Sequence, residues 1–310
     1  MTSFSPNSPN RLPPLTRATI SRARDGWLAG RDRAVRDMTQ AALDRASALA
    51  RGETDDRANG TLRRWVLRFM VRSLFDVRVE NPENIPTEPV VLAANHLSHI
   101  DPFLILSEVP AFPYYYILAD ARTLYNQWWK RTFLRFAKGV IPLERWWKEE
   151  MAVIEGAKLG WKDLEELAEA IERDVPDGGS IESMRRVDRA VRALFARGDG
   201  LMLFPEGRLG DKEGELHLPL KRGAVIYALR SGVPIVPVAL VGTKDLYFRK
   251  QLTIRFGEPL HFPPSKRPKP DEVQAAISGL QTALAELLPD SYREPDEPKL
   301  FRNELNRMFW

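Results

Sequence analysis

The stretch Val90-Val91-Leu92-Ala93-Ala94-Asn95-His96-Leu97-Ser98-His99-Ile100-Asp101-Pro102-Phe103 decides the fold. It opens as a short apolar run, the pattern of a buried strand. It then turns polar and offers two histidines and a carboxylate. Pro102 disfavours helical backbone at Asp101 and itself suits the first helical position. The sequence therefore predicts Asp101 as a helix cap and a helix from Pro102 to about Glu108. On one continuous helix, side chains five residues apart would point about 140° away from each other. A strand end, a turn and a helix start can instead bring His96 and Asp101 together.

A histidine whose ring is held by a carboxylate is a general base. The carboxylate fixes the tautomer, and the other ring nitrogen takes a proton from a hydroxyl. A second reading needs no chemistry: Asp101 caps a helix and His96 is a polar loop residue. These residues alone leave both open.

Outward from this block, short apolar strands alternate with helical segments. Strands are expected at Val77–Glu80, Tyr114–Leu118, Leu201–Phe204, Ile235–Val241 and Leu252–Phe256. Helices are expected at Leu124–Ala137, Ser180–Arg197, Lys221–Ser231 and Glu272–Leu288. The alternation predicts an α/β domain, a layered and mostly parallel sheet flanked by helices, with an N-terminal helical extension. Within that extension, residues 1–14 are polar and proline-rich and read as disordered. Residues 15–51 read as one long helix with a thin apolar stripe, suited to docking on the body or to membrane contact, and 52–60 as a linker.

Residues 61–75 differ. Apolar side chains fill most positions, and Arg64, Arg68 and Arg72 share an i, i+4 face. This basic, aromatic, amphipathic helix fits the pattern of a segment lying on anionic lipid. It also fits a helix packed on its own domain with arginines outward. Residues 146–180 read as an inserted helix and loop, either shaping a pocket or decorating the surface. The expected organisation is thus an extension over 1–60, a domain over 61–290 and a C-terminal tail over 291–310.

Composition narrows the function. The chain has no cysteine, which excludes disulfides and a thiol nucleophile. With only four histidines, a histidine-built zinc site is not expected. The net charge of +4 is uneven: residues 1–80 carry fifteen arginines, no lysine and nine carboxylates, whereas the rest is slightly acidic. Such an arginine-rich face suits phosphate. No nucleic-acid-reading motif is present, so lipid headgroups are the expected source. No apolar run approaches 18 residues and no secretory core opens the chain, so a peripheral position on the cytoplasmic face of the cell membrane is expected.

The block Asn95-His96-Leu97-Ser98-His99-Ile100-Asp101 resembles the N-H-x-S-x-x-D block of the glycerolipid acyltransferases, the lysophosphatidic acid and glycerol-3-phosphate acyltransferase family. Three further blocks follow in that family's order: Gly139-Val140-Ile141-Pro142-Leu143-Glu144-Arg145, then Phe204-Pro205-Glu206-Gly207, then Val233-Pro234-Ile235-Val236-Pro237-Val238. The resemblance implies His96 as general base and Asp101 as its orienter. It implies direct attack of the acceptor on a thioester, acyl-CoA or acyl carrier protein, with no acyl-enzyme on Ser98 and no cofactor. It places Gly139, Arg145, Glu206, Gly207, Arg208 and Lys221 around the acceptor, most simply the lysophospholipid 1-acyl-glycerol-3-phosphate. The third block departs from the family's usual F-P-E-G-T-R-S: Arg208 comes one position early, and Leu209 and Gly210 follow. A glycolipid or other phosphate-free acceptor, or a lipid-binding protein without turnover, is therefore the alternative.

Overall fold

The computed structural model describes residues 12–53 and 57–309. Most of the expected disordered tail, and Trp310, lie outside the described residues. In chain order the elements are α1 (Arg17–Arg31), α2 (Arg33–Ala50), α3 (Gly60–Leu74), β1 (Asp76–Glu80), β2 (Val91–Ala94), α4 (Asp101–Glu108), β3 (Tyr115–Asp120), α5 (Ala121–Tyr125), α6 (Trp128–Ala137) and β4 (Val140–Leu143). There follow α7 (Lys148–Lys158), α8 (Lys162–Asp174), α9 (Ile181–Ala196), β5 (Gly200–Leu203), α10 (Gly223–Ser231), β6 (Ile235–Val241), β7 (Gln251–Phe256), α11 (Pro270–Leu287) and α12 (Arg302–Phe309). They divide into two units. The larger holds residues 49–118, 136–139 and 190–310; the smaller holds 1–48, 119–135 and 140–189.

In the larger unit the strand order is β1-β7-β6-β2-β5-β3. Every pairing is parallel except β6 with β7, so the expected mostly parallel α/β sheet is what forms. Strand β2 lies at its centre with all four residues buried, as an uninterrupted apolar run requires. Strand β7 alternates buried and more exposed positions, as a half-covered strand does. Parallel pairing of β2 with β5, Ala93 opposite Leu203, delivers the loops after both strands to the same edge. Asn95 then continues the sheet with its side chain: its amide donates to Leu240 O at 3.0 Å and accepts from Leu240 N at 2.7 Å.

In helix α3 the arginines are engaged by acceptors of their own domain. Arg64 donates to Val109 O at 2.8 Å, Arg68 pairs with Glu108 at 3.0 Å, and Arg72 forks onto the same carboxylate at 2.9 and 3.0 Å. The buried face is Arg63, Leu67 and Val71. Its exposed large apolar side chains are Leu62, Trp65 and Phe69, the two rings stacked with centroids 6.0 Å apart.

The smaller unit has a core of its own. Ala23 of α1, Val153 and Ile154 of α7, and Leu164, Ala168 and Ile171 of α8 bury one another, with Trp27 and Trp146 packed alongside. Trp27 Nε1 donates to Asp174 at 2.8 Å and Trp146 Nε1 to Val175 O at 2.8 Å. The 146–180 insertion is therefore two helices that hold α1. The expected single helix over 15–51 is broken at Asp32. Its N–H caps α1 by donating to Leu28 O, while its carboxylate accepts from Ala34 N and Val35 N to open α2. The expected helix over 124–137 is likewise two, α5 and α6, the first opened by the Asp120 carboxylate.

Candidate active site

His96 and Asp101 meet at the mouth of β2. His96 Nδ1 lies 2.8 Å from Asp101 Oδ2, and the same oxygen accepts from Leu97 N at 2.7 Å and Ser98 N at 2.9 Å. Asp101 therefore does not cap its own helix, as the sequence led us to expect. It occupies the first turn of α4, which starts one residue before Pro102, and its carboxylate reaches backward to tie the turn closed. It is fully buried, and its Oδ1 has no hydrogen-bond partner among the described residues.

With Nδ1 engaged by Asp101, a neutral His96 carries its proton there and keeps Nε2 as the basic atom. The ring stacks on Phe204 at 4.0 Å between centroids and 18° between planes, and the side chain is 16% exposed. One flank is thus packed and an edge remains open to a reactant.

The loop after β5 braces the backbone of the same residue. Glu206 is buried; one carboxylate oxygen accepts from His96 N at 2.8 Å and the other from His217 N at 2.7 Å. Both oxygens are thus taken up by backbone. Burial pushes the Glu206 carboxyl above its ordinary range, against the pull of these two N–H donors. Gly210 N donates to His96 O at 2.6 Å. A Cβ at Gly210 would stand 3.0 Å from the Leu97 side chain, so the departure from the family's serine matches a close approach here. Lys244 Nζ holds Gly210 O at 2.9 Å, and Glu213 accepts from Lys244 N.

The remaining candidates are placed differently. Gly207 has φ of +69°, and the stem of Lys221 crosses where a side chain would stand. Lys221 N donates to Pro205 O at 2.6 Å, so this lysine is fastened to the third block. Arg208 is half exposed and forks onto Asp211 with both contacts at 3.0 Å. Gly139, also with positive φ, lies against Tyr114 and buried Arg63, where a Cβ would come within 2.8 Å of the Tyr114 ring. Arg145 belongs to the smaller unit. There it lies 3.9 Å from Asp120, and its carbonyl accepts from Arg122, which also forks onto buried Glu150. Ser98 is buried, with its hydroxyl donating to Phe309 O at 3.3 Å, a poor position for a nucleophile. The residues not foreseen are Phe204 as the stacking partner, Lys244 and Glu213. Only the irregular third block signalled that this loop is held in its own way.

An Asp-held histidine at the carboxyl edge of a mostly parallel sheet defines an α/β protein equipped for general-base chemistry. The acyltransferase family profile matches residues 76–241, more than half of the chain, and the chain belongs to that family. It is similar to a probable 1-acyl-sn-glycerol-3-phosphate acyltransferase of Mycoplasma pneumoniae, 26% identical over 58% of this chain and 54% of that protein. It is likewise similar to the 1-acyl-sn-glycerol-3-phosphate acyltransferase of Bacillus subtilis, 26% identical over 60% and 74%, and to that of Limnanthes alba, 46% identical over 26% of each. The chain thus spans about half the length of the Mycoplasma protein and a quarter of the plant one. Among solved structures, the 1-acyl-sn-glycerophosphate acyltransferase PlsC of Thermotoga maritima matches 87% of this chain and 88% of that one, at 18% identity and a TM-score of 0.42.

Proposed function

We propose that this protein is an O-acyltransferase that moves a fatty acyl group from a thioester, acyl-CoA or acyl carrier protein, to the free hydroxyl of 1-acyl-sn-glycerol-3-phosphate. The observation that carries the reading is the His96 Nδ1–Asp101 Oδ2 contact at 2.8 Å, braced through His96 N by Glu206. His96 Nε2 takes the acceptor's hydroxyl proton as its oxygen attacks the thioester carbonyl. The tetrahedral oxyanion collapses, the carbon–sulfur bond breaks, and the imidazolium returns the proton to the leaving thiolate. Asp101 supports the positive ring during that interval. The relatives' names support the acceptor.

The cations for its phosphate are Lys221 and Arg208. Arg208 already pairs with Asp211, but an exposed pair is worth at most about 1 kcal/mol and exchanges readily for a phosphate. The same pairing is what favours the second reading, a phosphate-free acceptor. Among the described residues no helix is long and apolar enough to cross a membrane. The exposed Leu62, Trp65 and Phe69 of α3 support a peripheral seat on a lipid surface, and the cytoplasmic face of the cell membrane is the location proposed with it.

The test is a mass-spectrometric transfer assay with acyl-CoA and acyl carrier protein donors and a panel of acceptors. Phosphatidic acid formed by the unmutated protein and absent with His96→Ala supports the reading. Turnover retained in a folded His96→Ala protein sinks the mechanism, and product on a glycolipid alone moves the acceptor.

A further inference from the structure

Resting on the acyltransfer reading, we propose that α12 is a positioning element of the reaction, holding the His96 turn through the backbone carbonyl of Phe309. The turn from His96 to Asp101 is gripped at several points. Asp101 holds Leu97 N and Ser98 N; Glu206 and Gly210 hold His96 N and O. Two further donors, His99 N and Ser98 Oγ, converge on a single atom, Phe309 O, at 3.0 and 3.3 Å. The last carbonyls of a helix lack intrahelical donors and carry the negative end of its dipole, so this oxygen suits two donors.

Helix α12 is itself anchored. Phe309 is fully buried and Leu305 nearly so. Asn306 accepts from Leu246 N at 2.9 Å and donates to Leu246 O at 3.0 Å and Asp245 Oδ1 at 3.1 Å, while Arg302 pairs with Asp245 at 2.7 Å. The segment so engaged, between β6 and β7, also carries Lys244, which holds Gly210 O, and Gly210 N in turn holds His96 O. The connections close a ring: His96 to Gly210 to Lys244, along the chain to Leu246, through Asn306 to Phe309, and back to Ser98 and His99. Displacing α12 therefore releases the turn on one side and loosens the same turn on the other. A shift of about 1 Å in a reacting group costs on the order of a hundredfold in rate.

The experiment compares Asn306→Ala, Phe309→Ala and Phe309→Leu with the unmutated full chain. Steady-state kinetics are run well below each variant's Tm, and the His96 ring is titrated by NMR, with its signal assigned by its loss in His96→Gln. The expected result is a kcat lower by about tenfold or more in both alanine variants, with KM for donor and acceptor within about twofold. The His96 titration midpoint moves, and Phe309→Leu restores kcat. Unaltered kcat in Asn306→Ala and Phe309→Ala overturns the proposal, as does a loss of kcat with an unmoved His96 titration. If Phe309→Ala does not fold, Asn306→Ala carries both readouts. If the unmutated protein forms no product, the acyltransfer reading fails on its own. The Asn306→Ala titration then still decides the positioning, and an unmoved midpoint overturns it.

Discussion

Asp101 organises the site by placing one oxygen under three N–H donors. Replacing it with Asn exposes the arrangement's logic. An Asn oxygen in the place of Oδ2 would still accept from all three donors, with its NH2 group in the buried place of Oδ1, but the neutral amide cannot support the positive charge that forms on the His96 ring. Asp101→Asn should retain the fold, by circular dichroism and Tm, and lose about a thousandfold in kcat. A loss below tenfold would remove Asp101 from the mechanism. The sequence permitted the pair, because the Pro102 break lets a strand end and a helix start fold together. It did not set the direction of the Asp101 carboxylate: whether an aspartate reaches forward to cap or backward to close a turn depends on which N–H groups the turn presents.

Lys130 is a residue that no sequence pattern marks. It is 2% exposed, and its ammonium donates only to Thr123 O at 3.3 Å and Asn126 Oδ1 at 3.1 Å among the contacts described. Burial lowers its pKa to about 8. Between that value and the unfolded value of 10.5, the unfolded chain binds the extra proton, so this group's contribution makes stability rise with pH across that window. Below it, the buried charge costs stability in full. Lys130→Met should therefore raise stability at pH 7 by about 2 kcal/mol in urea unfolding and flatten the rise between pH 8 and 10. A destabilised variant at pH 7 would show that its hydrogen bonds outweigh the burial.

At the scale of elements, α3 shows an amphipathic pattern whose cations find partners within their own domain. Its amphipathicity is real, but Arg64, Arg68 and Arg72 meet Glu108 and the end of α4. Glu108 is itself nearly buried, and a buried carboxylate recruits whatever cations stand opposite. The exposed face is then the aromatic one. Vesicle cosedimentation should fall severalfold in Trp65→Ser/Phe69→Ser. Arg72→Ala should instead cost about 1–2 kcal/mol of stability and leave vesicle binding nearly intact. Equal binding by the aromatic double variant would remove α3 from the membrane seat.

At the scale of the whole molecule, two cores coexist in one chain. Ile171 is fully buried in the helical core of the smaller unit, while Ile254 is fully buried in the sheet. Ile171→Ala should cost about 2–5 kcal/mol locally. It should raise amide exchange through α1, α7 and α8 together, leaving β2, β5 and β6 protected. Loss of protection spread evenly over both units would argue for a single cooperative core.

By itself, the sequence determined the strand-and-helix alternation and the mostly parallel sheet, and it permitted the His96–Asp101 pairing without requiring it. Each follows from local rules: apolar periodicity, proline geometry, and a spacing that closes only through a turn. Tertiary structure alone decided the rest. It turned both oxygens of Glu206 onto backbone, gave residues 146–180 a core shared with α1, and brought Phe309 beneath Ser98, 211 positions away. Those outcomes rest on which donor meets which acceptor once distant segments pack. No local pattern encodes them, because a hydrogen bond between remote segments leaves no periodicity in either one.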